Sequence, residues 1–109
     1  MVPGALQDQQ ALLEPQADDM MPEPYRSTPV FDQNTIPSGL RGNHRTKAGV
    51  WGVIRVLEGA LRLTYVEPRS EIVLEPRVVG VVKPEQEHFV TPLGSVRMQV
   101  DFYNEPPHG

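Results

Sequence analysis

The sequence predicts an all-β protein, on three grounds. From Thr28 onward the apolar residues recur with a period of two. Turn-forming clusters interrupt them at spacings of roughly 8–12 residues, as in sandwiches and barrels. No stretch after residue 28 keeps a helical period without interruption.

The first 25 residues stand apart from this pattern. They hold Asp8, Glu14, Asp18, Asp19 and Glu23 without a single Lys or Arg. Pro3, Pro15, Pro22 and Pro24 break up any long element, and a turn of helix over residues 10–14 is too short to be stable alone. Residues 1–25 are therefore expected to be an acidic, Pro-rich, disordered leader, and residues 26–109 one domain.

Two strands in the body carry clear alternation. Residues 60–66 place Leu61, Leu63 and Tyr65 on one face and Arg62 and Thr64 on the other. Residues 95–103 do the same with Val96, Met98, Val100 and Phe102. Shorter strands are expected over residues 29–31, 40–45, 53–57, 71–74, 78–82 and 88–91. Turns are expected between them at Glu58-Gly59, Glu67-Pro68-Arg69-Ser70, Glu75-Pro76, Lys83-Pro84 and Pro92-Leu93-Gly94.

Charge and composition exclude several function classes. Residues 26–109 set nine acids against all ten bases, so the body is nearly neutral and lacks the basic footprint of a nucleic-acid protein. Arg41, Arg45 and Lys47 form only a small group, read as solvated charge. The absence of cysteine excludes disulfides, thiolate catalysis and Cys-type zinc sites. No apolar run approaches the roughly 18 residues of a membrane span. Residues 1–10 have neither a basic nor an apolar signal region, and the expected location is the cytoplasm.

The chemistry centres on two of the three histidines. Alternation puts Leu40, Gly42, His44 and Thr46 on one face of their strand, and His88 on the same face as Val90. Both imidazoles can therefore enter a barrel interior. Two readings stay open: hydrogen-bonded histidines lining a polar pocket, or two ligands of a divalent metal such as zinc. A third ligand is hard to find. Asp101 shares its face with Arg97 and Gln99 and is expected to face solvent, while Glu85 and Glu87 flank His88 in a turn. Lys47, just before Gly49, is placed at the barrel mouth as an anion contact or a solvated charge. Trp51 is either barrel packing or a stacking wall for a ligand, and alternation leaves its side undecided. His108 lies in a Pro-rich C-terminus and is read as silent.

Longer motifs carry a resemblance. His44-x-Thr46-Lys47-x-Gly49-x-Trp51-Gly52, Val56-Leu57-Glu58-Gly59-x-Leu61, Val82-x-Pro84-x-x-x-His88 and Asp101-Phe102-Tyr103 together resemble the TehB/YeaR-like family of small bacterial domains. The likeness runs over about residues 29–103. It implies a cupin-like double-stranded β-helix, that is, a jelly-roll barrel. The two histidine segments look like degenerate cupin motifs. Trp51 stands where the first motif has Glu, Thr46 replaces a second His, and Gly80, Pro84 and His88 remain of the second motif. Some members of the family precede an S-adenosylmethionine-dependent methyltransferase implicated in tellurite resistance. Others stand alone and are linked to nitrate or nitrosative stress. This chain has no glycine-rich strand-to-helix cofactor motif, so it is expected not to be a methyltransferase.

The expected function is a non-catalytic module of a bacterial stress response that binds a small molecule or oxyanion. Its pocket would comprise His44, Thr46, Lys47, Trp51 and His88. One alternative is a metal-dependent enzyme in which His44 and His88 hold a divalent metal and its water. The other is a homo-oligomeric interaction module, and the resemblance implies a homodimer.

Overall fold

Period-two alternation produces an all-β molecule, and the computed structural model describes residues 23–107. The leader expected over residues 1–25 lies outside the described residues except for its last three. Among the described residues six strands form: β1 (Arg26–Ser27), β2 (Phe31–Asp32), β3 (Trp51–Tyr65), β4 (Ser70–Leu74), β5 (Gly80–Val82) and β6 (His88–Tyr103). A 3-10 turn, Ser38–Arg41, precedes β3. The strands make one antiparallel sheet in the order β1-β6-β3-β4, with β2 also on β6 and β5 also on β3. Among the described residues no helix is long and apolar enough to cross a membrane.

The two long strands join segments that the sequence divides. Residues 53–57 and 60–66 merge into β3, and residues 88–91 and 95–103 merge into β6. Gly59 and Gly94 do adopt the positive φ that their turn chemistry suggests, at 81° and 100°. They serve irregularities within paired strands rather than chain reversals. The β3–β6 register shifts between Val56 and Glu58 and again between Gly59 and Leu61, as bulges do. A Cβ at Gly59 would collide with the Ser95 carbonyl oxygen, so only glycine allows this approach.

Beyond the bulge each long strand takes new partners. The first part of β3 holds β5 through Gly52↔Val82, and its second part holds β4 through Leu61↔Leu74. The far end of β6 carries β1 and β2. Leu61, Leu63, Leu74 and Met98 are fully buried at the centre, each worth roughly 1.5–3 kcal/mol of apolar burial. Gly80 keeps this packing close, because a Cβ there would lie 2.6 Å from Leu63 Cδ2.

Residues 40–45 do not form the expected strand. Pro37 and Gly39 favour a tight turn, Leu40 N–H donates to the Pro37 carbonyl at 3.0 Å, and only His44 regains a ladder pairing. Asp101 is also corrected. It faces away from the core as alternation requires, yet it is only 5% exposed, because Arg55 and Ser27 cover it.

Candidate functional site

His88 opens β6 and pairs with Tyr65 on one side. On the other it forms an isolated bridge with His44, in which each N–H donates to the other carbonyl at 2.8 Å. This double hydrogen bond sets both side chains on one face. Their rings meet edge to face, with centroids 5.4 Å apart and planes at 80°. The two histidines, which alternation merely allowed to meet, do meet, although residues 40–45 reach the site as a turn and a bend.

The pair borders an inner cavity of about 40 Å³. Its walls are mainly apolar, from Leu40, Ile54, Val90, Met98 and Val100. The volume holds about three waters, or a ligand fragment of a few atoms, on the basis of ~10–15 Å³ per water. An outer vestibule of about 270 Å³ adjoins it, and His44, Thr46 and Phe102 border both spaces. The vestibule adds Tyr25, Arg26, Arg45, Lys47 and Val50, so cations ring its wall. Arg45 also lies 3.5 Å from Glu87.

The tautomer of His88 follows from one contact. Its Nδ1 lies 2.9 Å from the Gln86 carbonyl oxygen. A carbonyl can only accept, so the neutral ring carries its proton on Nδ1 and leaves Nε2 as an acceptor. Among the described residues Nε2 has no hydrogen-bond partner, and it is not among the sealed, unsatisfied polar atoms. Burial pushes the imidazole below its ordinary 6.5; the Gln86 carbonyl opposes this, and the neighbouring charge of His44 adds to it.

Thr46 borders both spaces and also ties two loops together. Its hydroxyl donates to the Val50 carbonyl at 2.7 Å and accepts from Glu85 N–H at 3.2 Å. It thereby clips the loop after His44 to the loop before His88, and its hydroxyl hydrogen is already committed. Trp51 leaves the pocket altogether. Its neighbour Gly52 borders the inner cavity, so alternation sends Trp51 to the opposite face. There it lines an open groove with Tyr65, Pro68, Val81 and Lys83.

Sequence reasoning missed Gln86, Tyr25 and Arg26. Gln86 acts through its backbone carbonyl, which leaves no residue-type signal. Tyr25 and Arg26 sit at the boundary of the acidic leader, but strand pairing of β1 with β6 carries them to the vestibule.

Comparison with known proteins adds identity to this geometry. Two probable S-adenosyl-L-methionine-dependent methyltransferases TehB, from Haemophilus influenzae strains KW20 / Rd and 10810, are each 29% identical over 51 residues. Those residues are 47% of this chain and 18% of each relative, so the chain spans under a fifth of their length. The crystal structure of TehB from Haemophilus influenzae superposes with a TM-score of 0.69 at 26% identity, covering 77% of this chain and 32% of that one. A protein from E. coli (strain K12) gives a TM-score of 0.70 at 25% identity, covering 87% and 98%.

These findings correct several expectations. The relatives are named as methyltransferases, which overturns both the non-catalytic, oxyanion-binding stress module and the separation of this chain from methyltransferases. The same names displace the metal-dependent enzyme. They also point to S-adenosyl-L-methionine in place of a divalent metal on His44 and His88. Among the described residues no group of three His, Asp or Glu side chains could hold a metal ion.

The cavity itself does not fit S-adenosyl-L-methionine. A ligand of that size needs a pocket of roughly 300 Å³ or more, far above the inner cavity's 40 Å³. The vestibule is larger, but among the described residues it is lined by cations and by no carboxylate that would meet a sulfonium or an ammonium group. The match to the TehB-like domain model covers residues 26–100, and the chain belongs to that family.

Proposed function

We propose that this chain provides the methyl-acceptor pocket for S-adenosyl-L-methionine-dependent methyl transfer, working beside a unit that binds the methyl donor. The observation that carries this reading is His88, whose Nε2 has no hydrogen-bond partner among the described residues, on the wall of a cavity sized for a small acceptor and not for the donor. The names of the TehB relatives supply the reaction class, and the chain's small share of their length leaves room for a donor-binding unit. His88 offers the hydrogen-bond acceptor, His44 packs against its ring, and Thr46 clips the two loops together. Lys47 stands at the mouth; Trp51 has no part in this pocket.

Residues 26–109 act as the TehB-like domain in this reading, with residues 1–25 as its leader, in the cytoplasm. We read the bent β3–β6 pair as a reduced cupin-type double-stranded β-helix. Its support is that each long strand changes partners beyond the bulge.

The test is release of S-adenosylhomocysteine from S-adenosyl-L-methionine and a small-metabolite extract. One arm uses the full chain alone. The other uses Haemophilus influenzae TehB with its matching segment replaced by this chain. Release in either arm, abolished by His88→Ala, is expected. Release equal to that of protein-free controls in both arms overturns the reading.

A further inference from the structure

We infer that the vestibule is the docking surface for the chain's own acidic leader, and that Asp18-Asp19-Met20-Met21 is the segment it takes. The two carboxylates meet Arg26 and Lys47, and the two methionines cover Tyr25, Val50 and Phe102. The inference stands apart from the acceptor-pocket reading, because its test reads contact and not turnover.

Charge selects the occupant. The vestibule carries Arg26, Arg45 and Lys47, and among the described residues no carboxylate lines it. Arg45 is partly engaged by Glu87 at 3.5 Å, whereas Arg26 and Lys47 have no ion pair among the described residues. Residues 1–22 lie outside the described residues and hold Asp8, Glu14, Asp18 and Asp19 without a basic side chain.

Position selects the segment. Tyr25 N–H donates to the Phe102 carbonyl at 2.9 Å and Arg26 pairs with Phe102, so the chain enters the sheet at the vestibule's own wall. Asp19 is six residues from Tyr25, a tether of at most about 22 Å. So short a connection gives a local concentration in roughly the millimolar range, where contacts too weak to hold a free peptide suffice. The groove beside Trp51 lacks this connection. Among the described residues it is lined by one cation, Lys83, and by none of residues 23–28.

The side chains match as well. Tyr25, Val50 and Phe102 put apolar surface between the vestibule's cations, and Tyr25 stays 52% exposed. Methionine is flexible and packs well against aromatic rings. Met20 and Met21 directly follow Asp18 and Asp19, so one short segment offers both chemistries. A polar leader that buries too little to fold alone can order on such a surface.

Lysine acetylation tests this on the full chain, which has two lysines, Lys47 in the vestibule and Lys83 in the groove beside Trp51. Peptide mass spectrometry after brief acetylation gives the Lys47-to-Lys83 rate ratio, with Lys83 as the reference. Joint Asp18→Asn and Asp19→Asn substitution is expected to raise that ratio about fivefold, because it frees the Lys47 amine. Joint Met20→Ser and Met21→Ser substitution keeps every charge and is expected to raise it about twofold. Amide NMR should show Lys47, Val50 and Phe102 moving in both variants while Tyr65 and Val81 stay. A ratio unchanged by the Asp pair overturns the inference. So does a ratio that ignores the Met pair, or that rises equally with Asp8→Asn and Glu14→Asn, since either outcome reduces the effect to diffuse attraction.

Discussion

The two faces of the β3–β6 pair use their polar residues in opposite ways. On the outer face, Arg55 Nε donates to Asp101 Oδ2 at 2.7 Å, and its second nitrogen reaches Asp101 Oδ1 and Gln99 Oε1 at 3.2 and 2.8 Å. Ser27 adds a donor to Oδ1 at 2.7 Å. This network is closed by the protein itself. On the inner face, His88 has one backbone partner and one nitrogen left over. A closed network clamps strands together, whereas an open valence on a small cavity is available to a ligand. One strand thus alternates between a closed polar network outward and an unfilled hydrogen-bond valence inward.

Breaking the shared scaffold should have the largest effect. Gly59→Ala puts a side chain at a φ of 81° and against the Ser95 carbonyl. We expect a loss of about 3 kcal/mol in urea unfolding, with the outer network and the inner cavity disturbed together. A loss under 1 kcal/mol would mean that the bulge relaxes and that the two faces do not depend on it.

Removing one outer partner comes next. Arg55→Ala strips Asp101, whose side chain is 8% exposed with Arg55 in place, of its cation and of part of its cover. A buried unpaired charge costs more than a surface one, but Arg55 is itself 39% exposed and partly screened. We expect about 2 kcal/mol at pH 7, with acceptor binding unchanged. Burial alone would raise the Asp101 carboxyl, but hydrogen bonds from Arg55 and Ser27 and the Arg55 charge outweigh it and hold it below 3.8. Its contribution is therefore present above pH 3.8 and lost as pH falls through the lowered folded value. The penalty of Arg55→Ala should shrink in that acid range, which unfolding at graded pH would detect.

The inner face should give the smallest change in stability and the largest in binding. His88→Phe loses the Gln86 hydrogen bond, worth about 1 kcal/mol, and abolishes acceptor binding. Because burial depresses the folded His88 pKa, its neutral form favours the fold. That contribution is complete above the ordinary 6.5 and declines as pH drops below it, no more steeply than about 1.4 kcal/mol per pH unit for one proton. The slope should be weaker in His88→Phe. An unchanged slope between pH 7 and 5 would assign the titration to another group.

Much of this was legible in the chain because alternation is a local property. Leu61, Leu63, Met98 and Val100 were placed inward by spacing alone, and all four are buried. Alternation allowed His44 and His88 onto a shared face, and their rings meet edge to face. Asp101 was put on the correct face, but its burial was invisible because Arg55 and Ser27 lie 46 and 74 residues away. Gly59 and Gly94 read as turns because positive φ serves a reversal and a bulge equally well.

By itself the sequence determined the all-β class, the core-facing set and the two histidines that can meet. Side-chain period and turn chemistry act over a few residues and need no knowledge of partners. Only the tertiary structure decided that four short strands are two long ones, that Trp51 turns away and that the Thr46 hydroxyl is spent on a loop clip. It also decided which nitrogen of His88 remains free. Each of those outcomes depends on which backbone groups meet across the sheet, and that pairing is set by long-range register.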